Sequence, residues 1–147
     1  MIETAVKRLD YLCTIIPKLL SEVEEPYFSL KVTPEKWSKK EIIGHLIDSA
    51  TNNHHRFVQI QFENQLLIPY DQNKWNESNF YQQIEGTQII DFWTIYNKQL
   101  LEIIKRISEE NLLKEFITID NKKFTLSFLI NDYVTHLEHH LRQVIIF

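Results

Sequence analysis

The sequence predicts an all-α protein, a four-helix bundle, from three observations. Four long stretches carry apolar residues at three- and four-residue steps, the spacing that gives a helix one apolar face. Glycine and proline number only two and four, and they read as punctuation between those stretches. The chain has 147 residues, 44% hydrophobic and 24% charged, which is one domain's worth spanning residues 1–147 and enough to bury a core without disulfides or a metal staple.

The first stretch, about Glu3 to Val23, places Val6, Leu9, Cys13, Ile16 and Leu20 on one face, with Pro17 inside it as an expected kink. Cys13 is the only cysteine, and its neighbours "YLCTII" predict a buried, unreactive thiol. A linker holding Pro26 and Pro34 follows. Ser38 then stands three residues before Glu41, the signature of a capping box opening a second helix that runs to about Glu63. From Leu66 to Gly86 the periodicity fails, which predicts a long loop carrying Tyr70, Trp75 and Phe80 and suited to building a site. Thr87 is the expected cap of a third helix faced by Ile89, Trp93, Tyr96, Leu100, Ile103 and Ile107. "EFITIDNKKFTLSF" reads as a short hairpin, and the last helix is expected from near Leu126 almost to Phe147.

The net charge of -4 offers no broad basic surface, so nucleic acid is not an expected partner. "MIETAVKRLD" lacks the basic and then apolar run of a secretory signal, and no segment approaches the ~20 apolar residues of a membrane span. A cytoplasmic protein without a membrane partner is the expectation.

The last helix concentrates histidine, at His136, His139 and His140 in "YVTHLEHHLRQV". Residues four apart on a helix lie about 40° from one another. With Leu137 at zero, Tyr133, Leu141 and Val144 fall within about 40° of it, His136 and His140 lie on one flank near -100° and -60°, and His139 points to solvent. In the second helix, with Leu46 at zero, His45 lies near -100°, and Ser49, Asn53 and Arg56 follow along the same flank. If the two flanks face each other, His45, His136 and His140 converge. Three imidazoles suit a zinc- or nickel-type ion and leave a position open, the usual condition for catalysis. Asp48 and Asp132 are candidates to orient an imidazole or to act as a base. Ordinary boundary histidines remain the alternative on spacing alone, and His54 and His55 belong to it because neither lies on the flank of His45.

Trp37, "HLIDS" at His45 to Ser49, "NNHHRF" ending at Phe57, "PYDQNKW" at Pro69 to Trp75, and the closing "HLEHH" together resemble the DinB superfamily, in particular its YfiT-like, bacillithiol-transferase-like branch. The resemblance covers most of the chain. It implies a four-helix bundle, often dimeric, that holds one divalent metal, nickel or zinc. By motif the implied ligands are His45, His136 and His140, the residues that the helical wheel also selects.

Three functions are compatible with this reading. In the first, a low-molecular-weight thiol is activated by the metal and attacks a small electrophilic substrate; the resemblance implies thiol S-transfer of the bacillithiol or mycothiol kind. Arg56 would then either steady an anionic group of the thiol or form a structural ion pair, while Tyr70, Asp71 and Trp75 would wall the substrate side. The second is metal-dependent hydrolysis with Asp48 or Asp132 as base; neither HExxH nor GxSxG is present. The third is a non-catalytic stress-response or dimerisation module with a structural metal.

Overall fold

The computed structural model describes all 147 residues. Four long helices, α1 (Glu3–Ser21), α3 (Lys39–Gln59), α5 (Gly86–Ile104) and α7 (Leu126–Leu141), form the bundle. Three short helices, α2 (Glu25–Phe28), α4 (Gln72–Ser78) and α6 (Glu109–Leu112), lie in the connections. Both α1 and α3 pack on α5 and on α7, so the ring order is α1, α5, α3, α7. The successive long helices α1 and α3 are diagonal, as are α5 and α7, which is why their connections are long. The bundle buries one contiguous cluster in which Leu9, Ile16, Leu46, Phe57, Trp93, Leu100, Ile130 and Leu137 are almost fully enclosed. At about 25 cal/mol per Å² of apolar surface, this burial is the main stabilising term.

The predicted capping box is present: Ser38 Oγ accepts from Glu41 N at 3.1 Å, and Ser38 N donates to Glu41 Oε1 at 3.0 Å. Cys13 is buried, and that burial pushes its thiol up to about 12, out of reach of thiolate chemistry at neutral pH.

As expected, Pro17 lies inside α1, which stays helical to Ser21. Four expectations need correction. Gly44 lies within α3 and is not punctuation. Thr87 does not cap α5, whose N-cap is Glu85 without a side-chain hydrogen bond. The last helix stops at Leu141: the N–H groups of Gln143 and Val144 bond three residues back, a tighter turn that carries Val144 into the core. The tail then folds onto Arg142, which donates to Phe147 O at 2.9 Å and lies 4.6 Å from the centre of the Phe147 ring.

The fourth correction concerns the long loop, which is largely ordered. It contains strand β1 (Gln65–Leu67), α4 capped by Asp71, and a 3-10 turn at Tyr81–Gln83. The expected hairpin is present as β2 (Glu115–Thr118) and β3 (Lys123–Thr125), which pair Phe116 with Phe124. Its turn places Asn121 at φ 64, a left-handed conformation that asparagine tolerates. β1 adds to this hairpin in parallel, with Gln65 opposite Phe116 and Leu67 opposite Thr118, giving the order β1, β2, β3. The two inserts of the bundle are thus clipped together against α3 and α7.

Candidate metal centre

His45 projects from the middle of α3 and is fully buried, while His136 and His140 come from successive turns of α7 and are partly buried. Because α3 packs directly on α7, the polar flanks of the two helices meet. His45 Nε2 stands 3.3 Å from His136 Nε2, and one ring nitrogen from each of the three residues lies within 4.8 Å of the others. His140 Nδ1 donates to Gln143 Oε1 at 3.0 Å, which leaves its Nε2 lone pair free. Trp37 covers His45 at a ring separation of 4.8 Å, closing the site on that side.

Burial, with repulsion from His136 and His140, brings His45 down to about 3; burial, with repulsion from His140 and His139, brings His136 down to about 4. Both are therefore neutral near pH 7, the form that binds a metal. The donor set fits a divalent ion of the zinc or nickel type. Two nitrogens about 2.1 Å from a shared tetrahedral ion stand about 3.4 Å apart, close to the 3.3 Å between His45 and His136. No carboxylate or thiol joins the three imidazoles, so the set is open.

A cavity of about 300 Å³ lies beside His136 between α3, α7 and the sheet. Ser49, Asn53 and Arg56 line it from α3, Leu129, Asp132, Tyr133 and His136 from α7, and Leu67, Phe116, Thr118, Phe124 and Phe128 from the sheet and the start of α7. The structure therefore gathers Arg56, Tyr70 and Asp132 around one space with the histidine cluster.

Other expectations fail here. Asp48 does not orient an imidazole: its Oδ1 accepts from Tyr81 Oη at 2.6 Å and from Asn79 Nδ2 at 2.9 Å, in a buried polar cluster of its own. Arg56 forms no ion pair and instead donates from Nη2 to Ile68 O at 2.9 Å. Trp75 lines an adjoining groove, which shares Arg56 and Leu67 with the cavity, and packs edge-on against Tyr70 at 5.5 Å, and exposed Asp71 caps α4. As expected, His54, His55 and His139 stay outside the cluster: His54 bonds the Tyr96 hydroxyl at 3.0 Å, and His55 and His139 are exposed. Sequence reasoning missed Gln143 as a partner of His140, because the tight turn that delivers it leaves no periodic signal. The hairpin's phenylalanines were legible as strand residues but not as cavity wall.

The profile of the DinB superfamily matches residues 8–144, almost the whole chain. The chain belongs to the DinB superfamily. A protein of Bacillus cereus strain AH820, named as a proposed metal-dependent hydrolase, is 21% identical over 145 residues, covering 98% of this chain and 83% of that one. A Bacillus anthracis protein of the same name matches equally. Among solved structures, YfiT from Bacillus subtilis, described as a proposed metal-dependent hydrolase with an unusual four-helix bundle topology, superposes with a TM-score of 0.84 at 17% identity, over 97% of this chain and 82% of that one. A mycothiol-dependent maleylpyruvate isomerase superposes with a TM-score of 0.78 at 13% identity, over 98% of this chain and 60% of that one. At these identities the two structures show that this DinB member shares their fold. No helix of the chain is long and apolar enough to cross a membrane.

Proposed function

We propose that this DinB-superfamily chain is a divalent-metal-dependent enzyme that joins a low-molecular-weight thiol to a small electrophilic substrate. The reading rests on one observation: three imidazoles converge, and one of them, His136, also lines a cavity large enough for a small molecule. A purely structural site would be closed by a fourth ligand and would have no cavity beside it. His45, His136 and His140 would hold the ion, whose positive charge would lower the pKa of a thiol or water that shared it.

Among nucleophiles, thiol is favoured over water by what surrounds the ion. A free thiol ionises near pH 8.5, so a modest shift suffices, whereas water needs a far larger one and usually a positioned base. The triad contains no carboxylate, and Asp48 is committed to Tyr81 and Asn79. In the transfer the thiol proton leaves to solvent, sulfur bonds the electrophilic carbon, and the leaving group departs with its electron pair. Phe124 and Phe128 give the cavity an apolar wall against which a substrate body can pack. The mycothiol dependence of one structural relative supports this reading.

Hydrolysis is the second reading. It is favoured by Asp132, an exposed carboxylate that shares the cavity wall with His136, and by the names of the Bacillus relatives. The deciding experiment incubates zinc- or nickel-loaded protein with a generic electrophile such as chlorodinitrobenzene plus bacillithiol, and separately with p-nitrophenyl esters. Metal-dependent thioether formation supports transfer, metal-dependent ester cleavage without a thiol supports hydrolysis, and neither in the presence of full metal occupancy points to a non-catalytic module.

A further inference from the structure

We propose that Arg56 makes the far end of the cavity a carboxylate-binding subsite, so that the substrate is a small acid with an apolar body whose electrophilic carbon lies toward the histidine cluster. The inference rests on the reading of that cluster as the reacting end.

Arg56 is the only lysine or arginine among the cavity-lining residues and is partly buried. Its one hydrogen bond, from Nη2 to Ile68 O, is to a neutral acceptor and leaves Nε and Nη1 without a protein partner. Burial weakens its hold on the proton, and no acidic side chain offsets that; the one neighbouring group that does is the Tyr70 phenol. A guanidinium is nonetheless charged at all ordinary pH values, so this cation is partly desolvated and uncompensated. Such a group is stabilised by an incoming anion, and its planar fork matches a carboxylate with two parallel N–H···O bonds.

The position along the cavity defines the ligand. Ser49, Asn53 and Arg56 line it at successive turns of α3, so the guanidinium's helical position is about 10 Å beyond Ser49. Between the ends the wall is largely apolar, with Leu67, Phe124, Phe128 and Leu129. Asp132, the one carboxylate in the lining, comes from the turn before His136 and is not within ion-pair distance of Arg56. Along the wall, negative charge is therefore favoured at Arg56 and disfavoured beside Asp132, which orients an acid in the metal-free protein; a bound ion would add a second anion-attracting end, and the zinc-loaded arm of the test separates the two.

The test titrates 4-phenylbutyrate and its neutral isostere 4-phenylbutyramide into the full-length protein, followed by ligand-observed nuclear magnetic resonance, in metal-free and zinc-loaded forms. The wild type is expected to bind the carboxylate at least about tenfold more tightly in both forms. In Arg56→Gln, which keeps an N–H donor but removes the charge, that ratio falls to about one, and Arg56→Lys, which keeps the charge but not the fork, lies between. A ratio near one in the wild type, no binding of either probe, or a preference that survives in Arg56→Gln each overturns the subsite. A preference seen only with zinc and untouched by Arg56→Gln would make the carboxylate a metal ligand, so the subsite falls and the metal centre stands. An Arg56-dependent preference in protein that takes up no zinc would do the reverse.

Discussion

The ring of Tyr81 occupies the space that a side chain on Gly44 would fill: a Cβ built at Gly44 lies 2.2 Å from Tyr81 Cδ2. Glycine inside a helix costs about 1 kcal/mol relative to alanine, so α3 accepts a weak point in its second turn, next to His45, to admit that ring. Gly44→Ala is expected to destabilise the protein by about 1–3 kcal/mol through overpacking, measured by urea unfolding. Combined with Tyr81→Ala, the costs should fall well short of adding, because the second change removes the obstacle created by the first.

Tyr81 reaches past Gly44 to Asp48, and this contact gives stability a pH signature. Burial raises the Asp48 carboxyl from 3.8 to about 6, partly offset by the bonds from Tyr81 and Asn79. The folded state therefore holds a proton that the unfolded state gives up between about pH 4 and 6, so the stability this group contributes is present at low pH and lost as pH rises through 6. Asp48→Asn keeps an oxygen for both donors and removes the ionisation. In the metal-free protein, its stability relative to wild type should rise by on the order of 2–3 kcal/mol between pH 4 and pH 7.5 and then level off. A difference that stays flat with pH would refute the assignment.

Replacing any one of His45, His136 or His140 with alanine should reduce metal from about one ion per chain to a small fraction of that, because a third ligand is lost from an already open set. His55→Ala and His139→Ala, at exposed positions, should leave it unchanged. Elemental analysis of protein prepared without a histidine tag reads both outcomes.

Metal should also stabilise the fold by mass action. Zinc at about a thousand times its dissociation constant adds about 4 kcal/mol, which for a chain of this size is a rise in Tm of roughly 10 °C. The rise should be reversed by a chelator and be absent in His136→Ala, as followed by thermal melts in circular dichroism.

The histidine cluster was legible in the sequence because helical periodicity fixes direction: once α3 and α7 are helices, His45, His136 and His140 can lie only on their polar flanks. The capping box at Ser38 and Glu41 was legible for a similar reason, since three residues of separation close it locally. What escaped depends on distant partners. Strand β1 has only three residues and exists because β2, about fifty positions later, supplies its hydrogen bonds. Asp48 looked available as a partner for an imidazole until the 3-10 turn brought Tyr81 to it. Arg56 looked like half of an ion pair because nothing in its neighbours reveals that its acceptor is a backbone carbonyl.

The sheet has a consequence for how such a protein can diverge. Its strands come from the two inserts and contribute much of the cavity wall, whereas the three histidines stand on bundle helices. Exchanges at Leu67, Thr118 or Phe124 can widen, narrow or re-polarise the cavity without moving an imidazole. Descendants of one ancestral chain can therefore trade substrates by rewriting a handful of strand positions while inheriting the same reactive centre, and a directed library confined to those positions would sample that history in reverse.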